Sequence, residues 1–219
     1  ATLHIHCHAD LERILTPQLE YFCKGMAYNV EFHLINPTKA EVVYEDRSVT
    51  VSSIPLRHRI PTCGFLFAEK PTPNHIIRDM IDFYKVPVFE LNRIKNGEDY
   101  VLPDGTVIPN NRLTTPPAPP RSYAYCSDTI FHRPIIEQIK GVNLLFHEAT
   151  FAQCDAQRAK ETFHTTAMQA GEIARDADVK QLLIGHFSAR YEDENILLQE
   201  ARSVFPNTLL AKENLKVTL

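Results

Sequence analysis

Apolar and polar residues alternate along this chain with two different periods, which together predict a mixture of strands and helices. Period-two alternation over Leu3–Cys7 predicts a short strand, and apolar residues at helical spacing between Asp10 and Met26 predict a helix after it. Extended segments rich in β-branched and aromatic residues follow that helix. These predicted strands are Val30–Ile35, Glu41–Tyr44, Ser48–Pro55 and Gly64–Ala68.

Strands and helices alternate one by one in the last part of the chain. The predicted strands there are Tyr123–Cys126, Val142–Phe146, Gln181–Ile184, Thr208–Leu210 and Leu215–Thr218, and the predicted helices are Pro134–Ile139, Thr166–Asp176 and Glu194–Ser203. Thr166, with Gln169 three residues later, can form a capping box at the start of its helix. The order of elements favours an α/β fold with an antiparallel portion before it.

Proline is concentrated in one segment of the chain. Lys70–Arg121 holds nine of the 15 prolines, and such a segment cannot lie inside a sheet because proline lacks a backbone N–H. We predict an insertion, residues 70–121, that projects from the body and carries a helix at Ile76–Tyr84. A long surface loop is the other interpretation. The flanking residues, 1–69 and 122–219, would form the central and C-terminal parts of one domain.

Charge and cysteine content restrict the function classes. The 23 basic and 27 acidic residues give a net charge of −4, so any nucleic-acid site must be a local basic patch. Five cysteines, an odd number without a Cys-x-x-Cys pair, argue against a disulfide framework and fit a reducing cytoplasm. No apolar run reaches the roughly 20 residues of a membrane span, so we expect no membrane partner. The start lacks Met and resembles the middle of a strand, so we expect it to lie inside a longer gene product.

Histidine or carboxylate residues stand at the ends of four predicted strands. His58 follows Ser48–Pro55, Asp128 follows Tyr123–Cys126, and Glu148 and His186 close the next two strands in the same way. Sheet proteins gather ligands at the carboxyl ends of their strands. Imidazole and carboxylate without thiolate suit a catalytic zinc ion. Each histidine alone is more often a structural residue, but four strand ends with the same chemistry favour a site.

His164 stands directly before the predicted helix Thr166–Asp176. A helix N-terminus offers free amides and a favourable dipole to a phosphate group. The sequence therefore predicts phosphate chemistry near His164, and a capped helix with an incidental histidine is the alternative.

Taken in order, these segments resemble ribonuclease Z of the metallo-β-lactamase superfamily across essentially the whole chain. The most specific are His147–Phe151 (HEATF), His164–Gly171 (HTTAMQAG) and His186–Tyr191 (HFSARY). Ser127–Thr129 (SDT) and the segment around His58 precede them. The resemblance implies a metallo-β-lactamase αββα sandwich and a zinc-dependent endonuclease that trims the 3′ end of precursor tRNA.

The resemblance also implies roles for individual residues. His58 would bind one zinc ion and His186 the other, with Asp128 bridging the two, so that a complete subunit holds two zinc ions. Glu148 and His164 would form a hydrogen-bonded pair near the scissile phosphate, with His164 protonating the leaving oxygen. By the same resemblance, the candidates for substrate binding are Arg190, Lys85, Arg93, Lys95 and Arg112.

The insertion lies where the family carries a flexible arm that grips tRNA. Residues 70–121 contain seven basic and six acidic residues, and Val88-Phe89-Glu90 replaces the Gly-Pro expected before the basic stretch. The resemblance further implies a cytoplasmic homodimer in which the arm of one subunit holds tRNA that the other subunit cuts.

The superfamily's His-x-His-x-Asp-His motif, which supplies three histidines and the general base, is absent from this sequence. His4–Asp10 (HIHCHAD) has the right residue types in the wrong order, and alternation would place His4, His6 and His8 on one strand face. We interpret it as a later strand and helix of the family and expect the motif upstream, so these residues alone should be inactive. The alternatives are a non-catalytic RNA-binding partner subunit and a phosphodiesterase of this fold that acts on small substrates.

Overall fold

Strands and helices alternate along most of the chain, as the two hydrophobic periods predict. The structure, a computed structural model, describes residues 1–219. The strands are β1 Thr2–Cys7, β2 Asn29–Leu34, β3 Val42–Glu45, β4 Val49–Pro55, β5 Cys63–Glu69, β6 His75–Ile76, β7 Tyr100–Val101, β8 Val107–Ile108, β9 Thr114–Thr115, β10 Ser122–Cys126, β11 Leu144–Glu148, β12 Gln181–Gly185 and β13 Thr208–Leu210. The α-helices are α1 Ala9–Phe22, α2 Arg78–Phe83, α3 Leu91–Lys95, α4 Asn110–Leu113, α5 Ala156–Thr162, α6 Ala167–Asp176 and α7 Asn195–Val204. None of the helices is long and apolar enough to cross a membrane.

Contacts divide the chain into two units. Unit 1 comprises Ala1–Glu69 with Arg121–Leu219, and unit 2 comprises Lys70–Pro120. The second boundary lies one residue before the predicted position because Arg121 is tied to unit 1. Its backbone N–H donates to a Glu69 carboxylate oxygen at 2.9 Å, and its guanidinium forms an ion pair with the same carboxylate.

Unit 1 contains a seven-stranded sheet in the order β13-β12-β11-β10-β5-β4-β3. The first four are parallel neighbours, and β5, β4 and β3 continue by antiparallel pairing. One face of the parallel strands packs against α6 and α7, whereas Tyr125 on the other face is exposed. Leu145, Leu182 and Ile184 in these strands are fully buried. This is the predicted α/β arrangement with an antiparallel portion before it.

Helices α6 and α7 pack against each other and against the core of unit 1. Small residues let them approach closely, and a β-carbon added at Gly171 would lie only 2.9 Å from the Ala201 carbonyl oxygen. Ile173 and Leu197 are fully buried in the same cluster, where each side chain contributes roughly 1.5–3 kcal/mol by burial. The packing fixes α6, whose N-terminus lies beside the site described below.

β1, α1 and β2 form a separate crossover unit within unit 1, with β1 and β2 paired in parallel. The helix ends at Phe22, four residues before the predicted Met26, because the chain turns there and Gly25 adopts a φ of 82°. The histidine-rich segment His4–Asp10 spans the end of β1 and the start of α1.

Unit 2 is a small folded unit, although it is rich in proline. Its buried residues, which come from helices, a strand and a turn, form a core of their own: Ile81, Val86, Ile94, Ile108 and Leu113. Two short antiparallel pairs, β6–β9 and β7–β8, frame this core. The interpretation as a long structureless loop is therefore wrong. The predicted helix Ile76–Tyr84 is shorter, Arg78–Phe83, because Ile76 pairs with Thr114 in a strand.

Three other elements differ from the prediction. Pro134–Ile139 forms no α-helix but a single 3₁₀ turn at Arg133–Ile135, since so short a segment gains few hydrogen bonds for the cost of nucleation. Leu215–Thr218 pairs with no strand of the sheet. Helix α5 was not predicted, because its sequence AQRAKET has almost no apolar periodicity. Ala159 is its only buried residue.

Candidate active site

The carboxyl ends of four strands lie at one edge of the seven-stranded sheet and carry polar side chains. β10, β11 and β12 are parallel neighbours, and β4 runs in the same direction because two antiparallel pairings separate it from β10. The residues at or just beyond these four ends are His58, Asp128, Glu148 and His186. The structure thus brings together side chains that are far apart in the sequence.

His164 reaches this edge from a loop between α5 and α6. Its imidazole centroid lies 5.1 Å from that of His58 and 5.3 Å from that of His186. The loop is held at its far end by the predicted capping box, which is confirmed. Thr166 Oγ1 accepts a hydrogen bond from the Gln169 backbone N–H, and the Gln169 side chain accepts one from the Thr166 N–H. The capped helix therefore fixes the loop that presents His164.

Left-handed backbone conformations mark the site. Six residues other than glycine have positive φ, and three of them are Asp128 at 57°, Phe163 at 61° and His186 at 59°. This conformation costs a residue with a β-carbon about 1–2 kcal/mol, and it persists only where surrounding contacts impose it. Asp128 and His186 adopt it just after β10 and β12 end, so the strain coincides with the positions where the sequence placed ligands.

Glu148 is fully buried and accepts hydrogen bonds on both carboxylate oxygens. The backbone N–H of Thr129 donates to Oε1 at 2.5 Å, and the backbone N–H of Thr165 donates to Oε2 at 3.1 Å. The Thr150 hydroxyl donates to Oε2 at 2.6 Å, and His164 Nδ1 lies 3.0 Å from the same oxygen. Burial alone would raise the pKa of the Glu148 carboxyl, but the hydrogen bonds from His164 and Thr150, the charge of His164 and the Thr129 amide together lower it. Glu148 is therefore an ionised carboxylate in a fixed orientation.

The pKa of His164 moves in the opposite direction. The hydrogen bond to Glu148 raises it most, burial opposes that effect, and the charges of Glu148 and Asp128 raise it further. With Nδ1–H bound to the carboxylate, the ring keeps its second nitrogen, Nε2, for another partner. The pair can therefore hold a proton on an imidazole at the strand ends, which is what a general acid needs.

Thr150 connects Glu148 to His186. Its Oγ1 lies 2.6 Å from Glu148 Oε2, 2.9 Å from His186 Nδ1 and 2.9 Å from the His186 carbonyl oxygen. The hydroxyl has one proton, which the ionised carboxylate attracts most strongly. Oγ1 can then accept a hydrogen bond from His186 Nδ1–H, so Thr150 selects the tautomer of His186 whose Nε2 carries a lone pair.

The two histidines that the sequence assigned to metal have the arrangement that metal ligands need. His58 Nδ1 donates to the Phe163 carbonyl at 3.0 Å, and His186 Nδ1 is bound by Thr150. Both rings therefore present Nε2 as an acceptor, as in many metal sites where the second nitrogen is held by an oxygen. His186 Nε2 and Asp128 Oδ1, two acceptors, face each other at 3.3 Å. A cation between them would remove the repulsion, so these residues fit a metal ion.

Two groups at this edge have the spacing of metal ligands. One consists of His58, Asp128 and His164 and the other of Glu148, His164 and His186, with the ligand atoms of each group within 4.8 Å of one another. Both groups contain imidazole and carboxylate without thiolate, which suits zinc. His164 belongs to both, so the five side chains form one connected cluster.

Replacing Thr150 by Val should weaken metal binding by about 10–100-fold, the usual effect of removing a partner of a metal-binding histidine. Valine keeps the shape of threonine but leaves His186 Nδ1 and Glu148 without the hydroxyl. Thr150→Ser should restore the affinity, because serine returns the hydroxyl in the same place. Titration of both variants with Zn²⁺, followed by calorimetry, checks this. Equal Zn²⁺ affinity of the Val and Ser variants would show that the Thr150 hydroxyl does not support metal binding.

His147 is fully buried beside Glu148, and burial lowers its pKa. Its Nδ1 lies 2.8 Å from the Glu148 carbonyl oxygen, and its Nε2 has no hydrogen-bond partner. Although His147 is the first residue of the HEATF segment, its side chain forms no hydrogen bond with a side chain of the cluster. It belongs to the strand interior and not to the group of strand-end ligands.

Arg190 stands apart from the cluster. Its guanidinium lies 4.9 Å from the centroid of the Phe151 ring, and its NH1 lies 3.4 Å from an Asp155 carboxylate oxygen. Phe151 in turn lies 6.2 Å from His164, measured between ring centroids. Phe151 therefore lies between Arg190 and His164 in this chain of contacts.

The four candidate cations of the insertion lie in unit 2 on the protein surface. Arg93 is held by two ion pairs, to Glu90 at 3.1 Å and to Glu98 at 2.6 Å. The other three, Lys85, Lys95 and Arg112, are exposed. Of the four, Arg93 is thus the least available to a phosphate.

The histidines of the segment His4–Asp10 do not join the strand-end cluster. His4 and His6 contact His33 on β2, as expected for alternate positions on one strand face. His8 differs, because its Nδ1 lies 3.3 Å from the Ile35 carbonyl oxygen at the start of α1. The segment forms a strand followed by a helix, as we interpreted it.

The residues that sequence reasoning missed are the threonines around Glu148. Thr129, Thr150 and Thr165 are buried, and each contributes a donor to the carboxylate. Thr165 Oγ1 also donates to the Thr129 carbonyl at 2.6 Å, which joins two of the loops. Each of these threonines directly follows or lies within a segment that carries a ligand, and that adjacency is the only signal the sequence offered.

Comparison with known proteins identifies the family. No family model matches the chain. A ribonuclease Z of Phocaeicola vulgatus is 73% identical over 219 residues, which are 100% of this chain and 71% of that protein. A ribonuclease Z of Bacteroides fragilis is 68% identical over 219 residues, 100% of this chain and 72% of that protein. This chain belongs to the ribonuclease Z family.

Solved structures of the same architecture agree. The short form of human tRNase Z has a TM-score of 0.63 at 18% identity. The alignment covers 99% of this chain and 68% of the human chain. The metallo-β-lactamase fold protein YhfI from Bacillus subtilis has a TM-score of 0.58 at 17% identity. The alignment covers 96% of this chain and 63% of the YhfI chain. At these identities the likeness concerns the fold alone, and it confirms the predicted metallo-β-lactamase fold. Ribonuclease Z proteins are metal-dependent phosphodiesterases of this fold.

Proposed function

We propose that this protein, in its full-length form, is a zinc-dependent endoribonuclease that removes the 3′ trailer from precursor tRNA. The observation that carries the proposal is the pair formed by Glu148 Oε2 and His164 Nδ1 at 3.0 Å, set among His58, Asp128 and His186. Identity of 73% to a ribonuclease Z supports the choice of substrate. A non-catalytic RNA-binding subunit would not need an imidazole held against a buried carboxylate beside a group of metal ligands.

His58, Asp128 and His186 would hold two zinc ions per full-length subunit, with Asp128 shared between them. When bound, zinc lowers the pKa of a water molecule and offsets negative charge that develops on a phosphate. His58 and His186 would contribute Nε2, since their Nδ1 atoms are bound by the Phe163 carbonyl and by Thr150. The carboxylate of Asp128 would offset charge on both ions.

His164 would act as the general acid. Its Nδ1–H stays on Glu148, and its Nε2–H donates a proton to the oxygen that leaves the phosphorus. In the same hydrolysis the oxygen of a water molecule bonds to the phosphorus and releases a proton to solvent. Glu148 acts as a positioning residue: it fixes the ring and keeps it protonated at higher pH than a free imidazole. The positive end of the α6 dipole, at the helix N-terminus two residues further on, favours a negatively charged phosphate group.

The function is tested on the full-length protein with a precursor tRNA that has a short 3′ trailer. We expect cleavage at the trailer boundary, its loss after treatment with a chelator, and its return on addition of Zn²⁺. A nitrophenyl phosphodiester serves as the matched small substrate, because it needs the same chemistry without tRNA recognition. Hydrolysis of the small ester with no cleavage of precursor tRNA would assign the protein to small substrates instead.

Unit 2 would serve as the tRNA-binding arm. Its exposed cations Lys85, Lys95 and Arg112 suit phosphate contacts, and Arg93 contributes less because Glu90 and Glu98 already bind it. Contacts of this kind bind the RNA backbone without reading its sequence. Arg190 would contact substrate nearer the strand ends, where its guanidinium is partly exposed.

Replacing Lys85, Lys95 and Arg112 together by Ala should raise KM for precursor tRNA by about tenfold or more at physiological salt, and should reduce the salt slope of binding by roughly one per lost contact. Hydrolysis of the nitrophenyl ester should not change, because the substitutions leave unit 1 intact. Arg78→Ala is the control, since Arg78 is also a cation of unit 2 but pairs with Asp82. An unchanged KM in the triple variant would show that these cations do not bind tRNA.

We also propose that the full-length protein is a cytoplasmic homodimer. The odd number of cysteines fits a reducing compartment, and tRNA gripped by one subunit could present its end to the other. Mixing the triple arm variant with an Asp128→Asn subunit should then restore activity through heterodimers. A monomer in analytical ultracentrifugation at micromolar concentration would exclude this arrangement.

A further inference from the structure

The histidine-rich strand β1 lies beside a second strand with matching chemistry. β1 and β2 pair in parallel with His4 opposite Glu31 and His6 opposite His33. Because side chains on a strand alternate between faces, residues two apart lie on the same face. Three imidazoles and one carboxylate are therefore gathered on one face of a two-stranded sheet, which is not part of the seven-stranded sheet that carries the active site.

The distances within this group match those of a metal site. His4 Nδ1 lies 2.9 Å from His33 Nε2 and 3.5 Å from Glu31 Oε2. The ligand atoms of His4, Glu31 and His33 all lie within 4.8 Å of one another. Zinc bonds of about 2.0–2.1 Å in tetrahedral geometry place neighbouring ligand atoms roughly 3.3–3.4 Å apart. The two measured separations lie on either side of that value, so small side-chain movements suffice to admit an ion.

The surroundings fit such an ion as well. The ring of His6 stacks on that of His33, with centroids 4.7 Å apart and an angle of 19° between the planes, which restrains the orientation of His33. The side chains of His4 and Glu31 are 53% and 56% exposed, so an ion and a water molecule can reach the group from solvent. Two imidazoles, one carboxylate and one water complete a four-coordinate site.

We propose that His4, Glu31 and His33 bind a divalent transition-metal ion of the zinc type, independently of the catalytic residues. The site shares no residue with the groups formed by His58, Asp128, Glu148, His164 and His186. Because one ligand comes from β1 and two from β2, the ion links the two strands. Binding to the folded state alone raises thermal stability with metal concentration.

The test uses the full-length protein carrying Asp128→Asn, which weakens the catalytic site and leaves the surface group intact. After equilibration with Zn²⁺ and dialysis, elemental analysis should find about one more zinc per subunit in this background than in the same protein with His33→Ala added. Glu31→Gln, which keeps the shape of the side chain, should also lower the zinc content. His75→Ala, which removes an exposed histidine of unit 2, should not.

A second measurement does not depend on metal counting. Titration with Co²⁺ should give the visible absorption of a four-coordinate ion in the Asp128→Asn background, and His33→Ala should abolish it. Precursor tRNA turnover of His33→Ala in the otherwise native protein should equal that of the parent, which separates this site from the proposed catalytic function. Equal zinc content and equal Co²⁺ spectra with and without His33→Ala would overturn the proposal.

Discussion

Asp128→Asn should lower kcat/KM for precursor tRNA by about 10³-fold, which corresponds to about 4 kcal/mol of transition-state stabilisation. Asparagine removes the negative charge but keeps the size of the side chain and tolerates the left-handed backbone that Asp128 adopts at a φ of 57°. The loss therefore reports on the carboxylate and not on the backbone. Zinc content, measured by elemental analysis after dialysis, should fall in parallel.

Asp178 provides a matched control for this substitution. It is an exposed aspartate outside the site that also has positive φ, at 50°. Asp178→Asn should leave turnover and zinc content unchanged, because its carboxylate approaches only Lys180, at 3.8 Å. Turnover of Asp128→Asn within about threefold of the native rate would mean that Asp128 binds no catalytic ion.

The positions of the candidate ligands could be predicted from the sequence because each follows an apolar strand. Parallel neighbours end at one edge of a sheet, so Asp128, Glu148 and His186 had to lie near one another once β10, β11 and β12 were recognised. To place His58 at the same edge, the direction of β4 must also be known, since β4 is separated from β10 by the antiparallel strand β5. Periodicity and strand direction thus account for most of the cluster.

The contacts that orient these ligands could not be predicted in the same way. Thr150 bonds to His186 across 36 residues of sequence, and Thr165 bonds to Thr129 across the same interval. Such contacts depend on loop conformations, including positive φ at Asp128 and His186, which are not glycines. No local pattern marks a non-glycine residue for that conformation.

The core of unit 2 could not be predicted from the sequence for a different reason. Its elements are between two and six residues long, shorter than the window of about 11 residues over which periodicity can be recognised. Ile94 and Leu113 are both almost completely buried, yet they are brought together only by tertiary contacts. Asn110 also connects separate elements of unit 2, because its Nδ2 donates hydrogen bonds to the carbonyl oxygens of Ile94 and Glu98, at 2.7 and 2.8 Å.

Glu148→Gln should have an effect on turnover comparable to that of Asp128→Asn, chiefly through the protonation of His164. The native carboxylate accepts from Thr129 N–H, Thr165 N–H, the Thr150 hydroxyl and His164. A glutamine amide replaces one of the two acceptor oxygens by a donor, so at least one of these donors loses its partner. General-acid contributions of about 10²–10⁴-fold set the expected loss of kcat.

The pH dependence distinguishes this explanation from simple unfolding. The hydrogen bond and charge of Glu148 raise the pKa of His164 above its ordinary 6.5, so the alkaline limb of kcat in the native enzyme lies above that pH. Without the carboxylate the pKa of His164 falls, and the alkaline limb of Glu148→Gln should move to lower pH. Glu161→Gln, a change to an exposed glutamate, is the control and should leave the profile in place.

Stability should change over a defined pH range as well. The raised pKa of His164 stabilises the folded state below 6.5, and this contribution is lost as pH rises through the folded pKa. The lowered pKa of Glu148 stabilises the folded state above its ordinary 4.5, and this contribution is lost as pH falls through the folded pKa. Both contributions are complete between those two ordinary values, so urea unfolding should show the largest difference between native protein and Glu148→Gln there. A difference independent of pH, together with an unmoved alkaline limb, would mean that Glu148 acts only as a buried structural group.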